Sequence, residues 1–142
     1  MNRDRLASVM RIRQIQERSA RGALAVTRQE LRAAAAAERR TWDTLDERRG
    51  DGCGVLPARG LHALQGAVAA GVLAAGTQHQ LTCNAETAAD LAVVDWTLAA
   101  RRVEGLERLA ERQRLIEQEE AVRRSANEID DLVLVRFTGD HV

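Results

Sequence analysis

The sequence predicts an all-α fold: two long helices forming an antiparallel coiled-coil hairpin, the second longer than the first. Three observations predict it. Residues 3–49 contain one Gly and no Pro, whereas residues 50–60 hold four Gly and the only Pro of the chain. From Leu61 to Phe137 no Pro occurs, and the glycines there sit inside an Ala/Leu/Val pattern. Aromatic residues make up only 2% of the 142 residues, and Tyr is absent. A compact core of this length would use more large aromatic side chains, which dominate core burial. Ala, Leu, Arg, Glu and Gln are instead abundant, and all are good helix formers. The length suits one domain, with a first helix over 3–49, a turn over 50–60 and a second helix over 61–137.

The first helix carries apolar residues at Leu6, Met10, Ala20, Leu24, Leu31, Ala34 and Leu45. They fall on two seven-residue tracks offset by four, which is a helical seam. Arg13, Glu17 and Glu38 interrupt it, while Ile12 and Ile15 broaden the apolar face. The turn follows from its composition, because Gly and Pro punctuate helices. In the second helix one track runs Leu61, Val68, Ala75, Thr82, Ala89, Trp96, Val103 and Ala110. Its companion runs Leu64, Gly71, Gln78, Ala85, Ala92, Ala99 and Leu106. A sustained seven-residue repeat implies a left-handed supercoil.

Folding the chain at residues 50–60 pairs positions whose numbers sum to about 108. This register sets Ala33–Ala37 against Gly71–Ala75, Trp96 near Ile12 and Leu98 near Met10. The first helix then runs out near residue 105. A charged overhang from about residue 106 is left, roughly 45 Å long if helical. Opposite charges at helical spacing, such as Glu119 with Arg123 and Glu120 with Arg124, support a helix lacking tertiary contacts. The apolar burst Leu132–Phe137 reads either as a frayed end folding back or as an anchor for a partner.

All 21 basic residues are Arg and balance 21 acids, so net charge is zero. That balance argues against general nucleic-acid binding, which requires a basic excess. Residues 1–49 are net +5, residues 50–100 net −3 and residues 101–142 net −2. A positive first arm beside negative later segments favours pairing within the chain, hence a monomer in isolation. The N-terminus has no apolar signal region. The unbroken small and apolar run Gly66–Gly76 is too short to span a bilayer. A cytoplasmic protein with no membrane span is expected.

Candidate chemistry is sparse. His79 and Cys83 are four apart on one helix face, a spacing metal ligands use. Two further ligands are missing, and His62 and His141 are distant, so no metal and no cofactor are expected. Cys53 and Cys83 lie about 33 Å apart along the helix, beyond disulfide reach. Gly50, Gly52 and Gly54 follow no strand and form no phosphate cradle. Asp130 and Asp131 are adjacent, on different faces, without a cleft. No constellation supports an enzyme. Trp96 lies on the seam as a packing residue. Trp42 either caps the core near the bend or forms an exposed docking patch, since Trp is enriched at interface hot spots.

The opening stretch Leu6-Ala7-Ser8-Val9-Met10-Arg11-Ile12-Arg13-Gln14-Ile15-Gln16-Glu17-Arg18-Ser19-Ala20 resembles the start of the flagellar FliJ family, and Leu24 and Leu31 continue the likeness. Leu106-Glu107-Arg108-Leu109-Ala110-Glu111-Arg112 is similar to that family's leucine/charged segment. Ile129-Asp130-Asp131, with Arg136 after it, resembles its closing element. Asp131 stands where the family usually has Glu, and Ser125-Ala126 where an acidic-Gln pair is usual. Residues 50–85 show no match.

The resemblance implies a stalk similar to the coiled coil of the rotary ATP synthase gamma subunit. Its implied partners are the hexameric flagellar export ATPase, the membrane export gate protein and export chaperones, at the inner face of the cell membrane. By the same resemblance Arg13, Glu17, Arg101, Arg102, Arg108 and Arg112 would contact the ATPase ring. Trp42, Leu45, Leu61 and Leu64, at the hairpin end, would face other partners. The equivalent stalk of a virulence-type secretion system and a generic homodimeric coiled coil remain alternatives.

Overall fold

The computed structural model describes residues 3–50, 54 and 57–139, with side chains over 4–50, 54 and 57–132. It contains two helices, α1 (Arg3–Gly50) and α2 (Ala58–Gly139). Among the described residues there is no strand, and the two helices pack against each other as an all-α hairpin. Arg48 and Arg49 close α1, where cations favour the negative end of the helix dipole. At the other side of the bend the Pro57 carbonyl accepts the Leu61 amide at 3.0 Å. Proline is tolerated there because the helix start has no use for its missing amide proton. Cys53, much of the expected turn and the Val133–Phe137 side chains lie outside the described residues.

The chain divides into two compact units. One joins the start of α1, through Gln14, to α2 from Ala100 onward; the other comprises Ile15–Ala99. In the second unit, Leu24, Leu45, Ala75 and Ala89 form the buried apolar core, and Thr82 is buried beside them. In the first unit Leu6 is the buried apolar residue. It lines an open groove of about 400 Å³ with Met10, Glu107, Ala110 and Gln113.

Burial follows a heptad along most of both helices. On α1 the shielded positions include 6, 13, 20, 27, 34 and 41, and 10, 17, 24, 31, 38 and 45. Arg13, Glu17 and Glu38 therefore occupy the seam and do not interrupt it. Ile12 and Ile15, expected to widen the apolar face, point to solvent. On α2 the expected tracks are shielded from Leu64 to Ala110, and Gln113 extends them by a step.

The pairing register differs from expectation by about one heptad. Gly71 meets Leu45, not the alanines of residues 33–37: a Cβ built on Gly71 would lie 2.8 Å from Leu45 Cδ1. Trp96 meets Glu17 in place of Ile12. Met10 shares its groove with Glu107 and Ala110, in place of Leu98. A seven-residue slip leaves the apolar tracks equally matched, so hydrophobic periodicity alone cannot choose between registers. Cross-helix polar pairs can. The slip also moves the exposed tail: every described residue from Arg114 to Leu132 is exposed, with Arg114 and Glu117 still bordering the Leu6 groove, whereas the expected overhang began near residue 106.

The stretch Ala58–Leu132 contains an 18-residue window with mean hydropathy 1.2, long and apolar enough by length and composition to cross a membrane. In the second unit, however, Gly71 and Ala74 share a groove with Arg40 and Arg48 of α1. Carrying such arginines into hydrocarbon is costly.

Candidate functional site

Two polar cross-links sit in the seam of the second unit. Trp96 Nε1 donates to Glu17 Oε1 at 2.9 Å. The same oxygen takes Arg21 at 2.8 Å, while the Glu17 side chain is only 13% exposed. A largely shielded carboxylate needs such donors, because desolvating it unpaired is expensive. Three heptads nearer the bend, His79 Nδ1 lies 2.9 Å from Glu38 Oε1. The Thr82 hydroxyl has one proton to share between the Gln78 carbonyl, 3.1 Å away, and the Glu38 carboxylate. Thr82 first, then His79, with a smaller contribution from Trp42, hold the Glu38 carboxyl below its ordinary value of 4.5.

That shift has a definite sign. A carboxyl with a folded-state pKa below its unfolded value stabilises the fold above the unfolded pKa and loses that stabilisation as pH falls through the folded one. Lowering the pH below about 4.5 should therefore weaken the hairpin. The Glu38→Gln variant should show a shallower decline in melting temperature over the same range. Equal acid sensitivity of the two proteins would refute the assignment.

The residues expected to touch partners are placed as follows. Arg101, Arg102, Arg108 and Arg112 are exposed on α2. Arg108 pairs with Glu104 one turn earlier. Arg108 and Arg112 also line a shallow groove of about 440 Å³ with Glu107, Glu111 and Leu115. Beyond them, Arg114 makes a two-pronged contact with Glu111 at 2.8 and 3.1 Å, which lowers the Glu111 pKa. Arg13 is half-buried and engaged in an interaction. Glu17 is largely shielded and bound to Trp96 and Arg21. The heptad of α1 carried that signal, since Glu17 stands seven residues from both Met10 and Leu24.

At the hairpin end the four expected residues separate. Leu45 is 1% exposed and belongs to the core, whereas Trp42 at 41% and Leu61 at 48% face solvent. Leu64 is half-buried. Trp42, for which capping and docking were both open, combines exposure with a contact to the Glu38 carboxyl. Sequence reasoning did not single out Glu38 as a partner of His79. The two stand 41 residues apart, and only the correct register joins them.

The family model for the flagellar FliJ protein matches residues 1–140. The chain belongs to the FliJ family. It is accordingly a flagellar export-related coiled-coil protein, of a structural and chaperone-like family, acting on the cytoplasmic side. Comparison with curated proteins and with solved structures gives no match. The FliJ model spans the same two helices that carry the seam, including residues 50–85, where no likeness was legible in the sequence.

Proposed function

We propose that this FliJ-family chain is a non-enzymatic stalk of flagellar protein export. It binds the hexameric export ATPase, promotes ring assembly and turnover, and links the ring to the membrane export gate and to export chaperones. The family match over residues 1–140 carries this reading. The exposed, charge-dense α2 from Arg114 to Leu132 supports it, because an exposed helix has a surface to offer. The tail side, with Arg101, Arg102, Arg108 and Arg112, engages the ring. Trp42 and Leu61 face the gate or chaperones. The chain associates peripherally with the membrane, the arginines that share a groove with Gly71 and Ala74 opposing insertion of the apolar α2 stretch.

The test mixes the protein with the export ATPase of the same organism and follows light scattering and ATP turnover together. Wild type should increase both. Arg108→Glu with Arg112→Glu should leave melting nearly unchanged, since exposed ion pairs contribute about 0–1 kcal/mol, yet weaken ring stimulation. Val103→Asp and Leu106→Asp should instead lower the melting temperature, because both sites are shielded on the seam and resist a charge. No stimulation by wild type, together with twice the monomer mass in sedimentation, would replace the stalk by a homodimeric coiled coil. Stimulation confined to the ATPase of a virulence-type system would reassign the apparatus.

A further inference from the structure

Glu38, His79 and Cys83 form a cluster that the stalk role does not use. His79 and Cys83 project from successive turns of α2, and Glu38 reaches His79 from α1. A carboxylate only accepts hydrogen bonds, so the imidazole nitrogen 2.9 Å from Glu38 Oε1, Nδ1, carries the proton of neutral His79. That leaves Nε2 as the acceptor, its lone pair available to the Cys83 thiol or to a metal ion. Nε2 lies 3.7 Å from Cys83 Sγ.

This distance has a geometric consequence. With metal–nitrogen and metal–sulfur bonds of about 2.05 and 2.3 Å, one ion spans a 3.7 Å gap at an N–metal–S angle of about 115°. A tetrahedral ion requires about 109°. The separation of the two ligand atoms already matches such a bite. The Glu38 carboxylate stands where outer-sphere carboxylates stand in histidine-ligated zinc sites, fixing the tautomer and raising the basicity of the ligating nitrogen.

We propose that His79 Nε2 and Cys83 Sγ bind a borderline-soft divalent cation of the zinc class, with Glu38 as the orienting outer-sphere group. Among the described residues no three His, Cys, Asp or Glu side chains converge on one ion. The remaining coordination positions are therefore filled by water. The His79 side chain is 65% exposed, so the ion enters directly from solvent. On binding, the sulfur–hydrogen bond of Cys83 breaks, a sulfur–metal bond forms, and the proton leaves to solvent. With two protein ligands, the dissociation constant falls between about 1 and 100 µM, well above that of four-ligand structural sites.

The experiment titrates Co²⁺ into the full-length protein carrying Cys53→Ser, so that Cys83 is its sole thiol. Near-ultraviolet thiolate-to-cobalt charge transfer reports the bond, and Zn²⁺ should displace it. Cys83→Ser should abolish the band. His79→Ala should weaken binding at least tenfold, and Glu38→Gln should weaken it by about ten- to a hundredfold. Circular dichroism verifies that each variant remains helical. Absence of the band at 1 mM Co²⁺, about tenfold above the expected range, would overturn the proposal. So would a band of unchanged affinity in His79→Ala.

Discussion

Leu45→Ala is expected to cost the hairpin about 2–5 kcal/mol, the range for truncating a buried leucine. Leu45 is the largest fully buried side chain of the described residues, at 1% exposure. Its depth has a specific cause. Gly71 lacks a Cβ where one would lie 2.8 Å from Leu45 Cδ1, so the leucine tip occupies space that any other residue would fill. The same contact predicts a change of sign. In the native background Gly71→Ala gains about 1 kcal/mol of helix propensity but pushes the Leu45 tip aside, and the two effects nearly cancel. With Leu45→Ala already in place the clash is gone, and Gly71→Ala should stabilise by about that 1 kcal/mol. Urea unfolding of the four proteins of this double-mutant cycle measures the coupling. Additive effects would mean that Leu45 and Gly71 are not in contact.

The second large effect is expected at Glu17. Glu17→Ala removes the acceptor from Trp96 Nε1 and the carboxylate that Arg21 contacts. Leaving a shielded donor without its partner costs about 1–3 kcal/mol. Glu17→Gln keeps an oxygen for the indole and should recover more than half of that loss. The reporter is intrinsic: with Trp42→Phe, Trp96 is the sole tryptophan, and its emission should change in Glu17→Ala at temperatures where the helix signal persists. Glu17→Leu has a different expected outcome. It fills the seam with an apolar residue and retains helix content, but it removes a polar pair that distinguishes one heptad register from the next. Broadened amide resonances along residues 15–45 would report that loss. Sharp resonances with unchanged chemical shifts would show that Glu38 and His79 suffice to hold the register.

The sequence by itself determined the helices, the break between them and, along α2, the residues that face the seam. These are local properties. Helix propensity, Gly and Pro punctuation and a seven-residue repeat act over a few turns, and each is readable without knowing what lies opposite. The tail motif and the opening segment also pointed to the family, through residues that a family model then matched across the chain.

What only the tertiary structure decided was the register and everything that depends on it. A repeat is nearly invariant when slid by its own period, so Leu24, Leu31 and Ala34 fit two registers about equally well. Glu17 and Glu38 break the degeneracy, because a sheltered carboxylate requires a donor and only one alignment supplies Trp96 to the first and His79 to the second. Read along one strand of sequence, these acids were interruptions of an apolar face. Read across two helices, they are the groups that fix the alignment. The same alignment buries Leu45, extends the shielded seam to Gln113, and brings Glu38 behind His79 and Cys83.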